Sequence, residues 1–162
     1  MTPFEVLAIG HKVWEFGNEI YEKYNDNKPE KRDNFTESSS GVSVSKWKHF
    51  DEKEFCCPCC GEHRISKNLV DRLDFAREIS GIPMRVTSGY RCKQYNRKVG
   101  GKPRSSHLDG TASDIFCPSG SIKATFLASF FESGIKRVGI YKNFIHVDVS
   151  EKLPSPMVWI GE

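Results

Sequence analysis

The sequence predicts an α+β fold: a small, largely antiparallel sheet with helices packed on one side and a polar site on the strands' open face. Three observations carry that prediction. Two stretches bear apolar residues at helical spacing, first Leu69, Val70, Leu73, Ala76 and Ile79, then Ile122, Phe126, Leu127, Phe130 and Phe131. Short strand-like runs surround them at Met84–Thr87, Asp114–Phe116, Arg137–Tyr141 and Phe144–Val149. In the last run His146 and Asp148 alternate with Ile145, Val147 and Val149, so polar and apolar residues leave the strand on opposite faces. A sheet with one apolar face needs a layer on that face, and the two helices supply it.

The chain starts with a helix signal. Thr2 reads as an N-cap, Pro3 as the first helical residue and Glu5 as the third. Val6, Ile9, Val13, Phe16 and Ile20 follow as one stripe, which predicts an amphipathic helix over residues 1–24. Such a stripe serves packing, with targeting or self-association as the alternative use. Residues 25–46 are polar and carry Asn25-Asp26-Asn27-Lys28-Pro29 and a serine triplet, the composition of a linker. Aromatic residues return at Trp47 and Phe50, where the main domain, residues 47–162, is expected to begin. Within it, Ser66 is placed to cap the first helix, and Gly81 and Pro83 stop it. A short helix near Cys92–Lys98 precedes the Gly100-Gly101 turn. Ser121 is placed to cap the second long helix, closed by Gly134, and Lys142-Asn143 joins the last two strands as a tight hairpin. The tail Leu153–Trp159, with prolines at 154 and 156, is expected to run extended along the sheet edge.

Bulk properties narrow the function. The chain has 162 residues, 38% hydrophobic and 28% charged, as in an ordinary globular domain with a small appendage. A net charge of +3 without basic runs gives no electrostatic footprint for nucleic acid. No stretch approaches the ~20 apolar residues of a membrane span. The N-terminus lacks the basic, apolar and small-residue segments of a secretion signal, so the expectation is a chain made and kept in the cytosol; it is expected to be a monomer. Six cysteines stand at 56, 57, 59, 60, 92 and 117. Overlapping Cys-x-x-Cys pairs raise a second, structural zinc, completed by His63, Cys92 or Cys117. The lack of a second separated pair weighs against it and favours plain thiols or disulfides formed after release.

The chemistry concentrates in Ser105-Ser106-His107-Leu108-Asp109-Gly110-Thr111-Ala112-Ser113-Asp114 and in His146-Val147-Asp148. His107, Asp114 and His146 supply two imidazoles and a carboxylate, a three-ligand set for zinc that leaves a fourth position open. Zinc with an open position polarises a carbonyl and makes hydroxide available near neutral pH, which suits amide hydrolysis. A cation beside the metal would stabilise the negative charge that develops, and Arg91 is the candidate. A structural ion pair is the alternative for that arginine. Asp148 lies on the same strand face as His146. It has two open readings: general base on the attacking water, or a carboxylate orienting a ligand imidazole. Asp109 is a weaker base candidate in a glycine turn. Ser106 and Tyr141 are candidate substrate contacts.

The pattern Ser-x-His-x-x-Gly-x-Ala-x-Asp followed by His-x-Asp resembles the zinc D-Ala-D-Ala carboxypeptidase and endopeptidase family. Ser88-Gly89-Tyr90-Arg91, Tyr95-Asn96 with Val99-Gly100-Gly101, and Arg137–Tyr141 agree with it, over roughly residues 47–160. The family includes VanY-type carboxypeptidases, phage endolysins and, distantly, the hedgehog signalling domain. The resemblance implies one catalytic zinc ion, the peptide of bacterial peptidoglycan as substrate, and an active-site role for Arg91. It points to a phage or prophage endolysin that acts on the wall after release from the host cytosol. A cytosolic D-Ala-D-Ala carboxypeptidase and a non-catalytic zinc-binding module are the alternatives. In one respect the chain departs from the pattern: Asn143 stands three residues before His146, where several relatives carry Glu, Asp or His.

Overall fold

The computed structural model describes residues 47–161 together with Glu19, which is helical and exposed. The rest of the N-terminal helix expected over 1–24, and the linker expected over 25–46, lie outside the described residues.

Trp47 and Phe50 belong to the core, at 3% and 2% exposure. Two buried carboxylates hold this segment. Trp47 Nε1 donates to Asp71 Oδ1 at 2.8 Å, and the backbone N–H groups of Lys48 and His49 donate to Asp74 at 3.3 and 2.8 Å. Both acids are thus satisfied by donors, as buried polar groups must be. A 3-10 turn, Glu52–Phe55, follows with Asp51 and Glu54 forming a capping box, and it buries Phe55.

Helix α1 spans Lys67–Ser80 and ends at Gly81, whose φ of 63° provides the left-handed cap. Ser66 occupies the N-cap, but its side chain makes no capping bond. The buried stripe runs through Leu69, Val70, Leu73 and Ala76 as expected, with Phe75 on its flank. Ile79, in the last turn, is 38% exposed and leaves the stripe. Helix α2 is the short Lys93–Lys98, with Cys92 as its N-cap. Helix α3, Gly120–Glu132, begins earlier than expected because Ser119, not Ser121, accepts from the Ile122 N–H at 3.3 Å. It buries Phe126 and Phe130.

The strands are β1 Val86–Ser88, β2 Ala112–Phe116, β3 Arg137–Ile140, β4 Phe144–Asp148 and β5 Met157–Ile160. They form one sheet in the order β1-β2-β4-β3-β5, antiparallel except for the parallel β3–β5 pair. The tail therefore does add to the sheet edge. Lys142 and Asn143 form the hairpin turn, closed by Tyr141 N–H to Phe144 C=O at 3.0 Å. Ile115, Ile145, Val147 and Val138 leave the sheet on the face covered by α1 and α3 and are fully buried with their apolar side chains. The opposite face carries the site, so the fold is the α+β arrangement read from the sequence. Among the described residues no helix is long and apolar enough to cross a membrane.

Candidate metal centre and active site

Register places the polar residues in one row. Ser88 pairs with Asp114, Asp114 with His146, His146 with Gly139, and Gly139 with Trp159, so the row crosses all five strands. Residues directly opposite on paired strands share a face, which brings Asp114 and His146 side by side. A second row two residues along contains Ala112, Asp148 and Arg137.

His107 reaches this row from outside the sheet, on the 3-10 turn Ser106–Asp109. Gly110 ends that turn at φ 72°, and a Cβ there would overlap the Arg64 carbonyl oxygen. The Ser66 N–H donates to the Gly110 carbonyl at 2.8 Å, so the turn is pinned to the start of α1. Glycine is required for both the backbone angle and the close approach.

Three donor atoms converge. His107 Nε2 lies 3.2 Å and His146 Nδ1 2.9 Å from Asp114 Oδ1, and the two ring nitrogens are 3.2 Å apart. All three side chains are buried or nearly so. His107 Nδ1 faces the Gly89 carbonyl at 2.6 Å. A carbonyl only accepts, so Nδ1 carries the proton and the neutral ring turns its Nε2 lone pair toward the other two donors. Lone pairs from two imidazoles and a carboxylate aimed at one point need a cation between them. The set fits a divalent metal of the zinc type.

The surroundings hold these ligands in place. Arg91 Nη2 donates to Asp114 Oδ2 at 2.5 Å and Arg91 Nε to Ser88 Oγ at 2.7 Å, leaving Asp114 Oδ1 for the histidines. Burial would raise the Asp114 carboxyl, but the His107 and His146 rings beside it outweigh that effect and hold it well below the usual range. Burial likewise opposes the charged form of His146, but Asp114 and Asp148 raise its pKa on balance. Asp148 sits beneath His146, with Oδ2 3.9 Å from Nε2. That oxygen accepts from Ser106 Oγ at 2.7 Å and Arg137 Nε at 3.0 Å, and Oδ1 accepts from the Ser150 N–H at 2.6 Å. His146 first, and then these bonds, overcome the effect of burial and bring the Asp148 carboxyl to about 2.

The residues expected at the site fall into distinct places. His107, Asp114, His146 and Arg91 come together. Ser106, expected to touch substrate, is 5% exposed and donates to Asp148 behind the ligands. Asp109 points elsewhere, paired with Lys152 Nζ at 3.0 Å. Asn143 is exposed at the hairpin turn. Tyr141 stacks on Phe144 with centroids 4.3 Å apart, and its Oη accepts from Trp159 Nε1 at 3.3 Å. The Trp159 ring lies 5.5 Å from the His146 ring.

Gly89, Arg137 and Trp159 are the neighbours that sequence reasoning did not assign to the site. A signal for Trp159 was present in Gly139, because a glycine inside a strand marks a close approach. A Cβ at Gly139 would sit 2.5 Å from the Trp159 ring.

A second group of potential metal donors lies apart from the first: Cys57, Cys60 and Cys92. Comparison with curated proteins gives no match. The family model described as Peptidase M15 matches residues 46–148, a span that holds all three histidine and aspartate donors, Arg91 and the sheet row up to β4. With well over half of the chain matched and all three metal-donor residues within the match, the chain belongs to the peptidase M15 family.

Proposed function

We propose that this protein is a zinc-dependent metallopeptidase that hydrolyses an amide bond in the peptide part of bacterial peptidoglycan, in the manner of a phage or prophage endolysin. The observation that carries the proposal is the convergence of His107 Nε2, Asp114 Oδ1 and His146 Nδ1 beside a buried arginine. Bound there, zinc supplies a Lewis acid for the scissile carbonyl and for a water nucleophile. The chain's own residues do the rest. The Gly89 carbonyl and Asp148 aim the two imidazoles, and Arg91 fixes the Asp114 carboxylate. Arg91 also brings a permanent positive charge to the place where negative charge develops on the substrate. Trp159 and Tyr141 form an aromatic wall beside His146 that suits packing of a peptide stem.

In this reading Asp148 is a positioning residue. A carboxylate held at about 2 by four partners is a poor proton acceptor at neutral pH. One observation favours a second reading, a non-catalytic zinc-binding wall module: Asn143 stands where relatives carry an acid or histidine, and Asp148 is already committed. Delivery to the wall from the host cytosol is part of the proposal and rests on the resemblance to endolysins alone.

Mass spectrometry of purified peptidoglycan after incubation, with and without chelator, tests these readings. New peptide termini that vanish with chelator are expected. Binding to the wall without any product would replace the peptidase by the binding module. Release of terminal D-Ala alone would make it a carboxypeptidase.

A further inference from the structure

The cysteines offer a second site, remote in sequence from the histidine–aspartate centre. The Sγ atoms of Cys57, Cys60 and Cys92 lie within 4.8 Å of one another. Tetrahedral zinc with Zn–S bonds of ~2.3 Å holds its sulfurs ~3.8 Å apart, so a small contraction would close the trio on an ion. The sequence named Cys92 among three candidates to complete such a site, but it could not choose between them, because this third sulfur comes from the distant N-cap of α2.

The backbone around Cys57 is built for a thiolate. Cys57 is fully buried, and the Cys92 N–H donates to its sulfur at 3.4 Å. A neutral thiol is a weak acceptor, and an amide donor on a fully buried sulfur suits a charged one. The loop Cys57-Pro58-Cys59-Cys60-Gly61 is closed by Gly61 N–H to Cys57 C=O at 2.9 Å, with Gly61 at φ 71°. This turn presents Cys57 and Cys60 toward the same point. Cys59 is exposed on the same turn, beside Cys92 and outside the trio. A disulfide would use two of these sulfurs and leave the others unexplained, whereas one divalent ion uses them all.

We infer that Cys57, Cys60 and Cys92, with Cys59 as fourth donor, form a structural zinc site that ties the Phe55–Gly61 loop to the segment carrying Arg91. The neighbouring contacts show what it would hold. Cys92 directly follows Arg91, and the Tyr90 N–H donates to the Phe55 carbonyl at 2.9 Å. A Cβ on Gly89 would come within 2.5 Å of the Phe55 backbone, so the two segments are in close contact. Gly89 supplies the carbonyl that orients His107, and Arg91 holds Asp114. The cysteine site is thus a clamp on the support of the first centre.

Elemental analysis of protein purified with zinc and reductant tests this independently of catalysis. Two equivalents are expected for the wild type, and one each for His107→Ala and for the double variant Cys57→Ser, Cys60→Ser. Cobalt-loaded His107→Ala, His146→Ala should show an intense thiolate-to-cobalt charge-transfer band, altered by Cys59→Ser. In the wild type, a mercurial thiol reagent should release one of the two zinc equivalents, a measurement that stands even if the cysteine variants do not fold. A single equivalent in the wild type, no charge-transfer band, or no zinc released by the mercurial overturns the site. A band unchanged by Cys59→Ser removes Cys59 from it.

Discussion

Replacing Asp148 by Asn separates the two roles a carboxylate can have beside a metal ligand. Asn keeps the shape of Asp and one acceptor oxygen, but it cannot carry the charge that pairs with Arg137. Asp148 is 1% exposed and Arg137 8%, so the variant leaves a nearly buried guanidinium without its counter-ion. Breaking a buried pair typically costs ~3–5 kcal/mol. Arg137 keeps the Pro154 carbonyl and the Trp159 ring, which puts the expected loss at the lower end, about 3 kcal/mol. Linkage leads to a similar figure. A carboxyl at about 2 when folded and ~3.9 when unfolded contributes roughly 2–3 kcal/mol at neutral pH. Because the folded value is the lower one, that stability is present above pH ~4 and lost as pH falls toward 2. Asp148→Asn should therefore lower the denaturation midpoint at pH 7 and flatten the acid limb of the stability curve. Zinc affinity should fall ~10–100-fold, because Asp148 acts on the ligand His146. At saturating zinc, most of the peptidoglycan-digesting rate should return. A fully zinc-loaded, folded Asp148→Asn protein that remains ~100–10,000-fold slower would refute the positioning role and make Asp148 the general base. Partial rescue of that loss by Asn143→Asp would support the same conclusion.

Three other outcomes are expected. His107→Ala should lose at least tenfold in zinc affinity at the histidine–aspartate centre, measured by competition with a chelating dye, since even indirect supports are worth ~10–100-fold. Arg91→Lys should stay folded but lose ~100-fold in kcat at saturating zinc, because an ammonium cannot span Asp114 Oδ2 and Ser88 Oγ together; an unchanged kcat would confine Arg91 to structure. Gly110→Ala should destabilise by at least ~1–3 kcal/mol in chemical denaturation, because φ is 72° and the added Cβ meets the Arg64 carbonyl; a wild-type midpoint would show that the turn before β2 is not under this constraint.

The sequence by itself determined the elements of the described domain and the three residues that come together as candidate ligands. Helical spacing and terminal glycines located α1 and α3, because those signals act over three or four residues of contiguous chain. Alternation of Ile145, Val147 and Val149 with His146 and Asp148 announced a strand with one polar face, since the period of two is local as well. His107, Asp114 and His146 were legible because their chemistry is uncommon in combination. Cap identity at Ser119 and the exposure of Ile79 escaped, as both turn on packing at helix ends. Only the tertiary structure decided the rest. The row from Ser88 to Trp159 depends on strand order and register, and no property of one strand specifies which partner lies beside it. The same holds for Asp148, whose neighbours Ser106 and Arg137 come from a turn and another strand. It holds most clearly for Cys92, whose N–H meets Cys57 Sγ at 3.4 Å across a separation of 35 residues. Burial and hydrogen bonding determine what a polar group can do, and both are set by distant chain segments that only the folded sheet brings together.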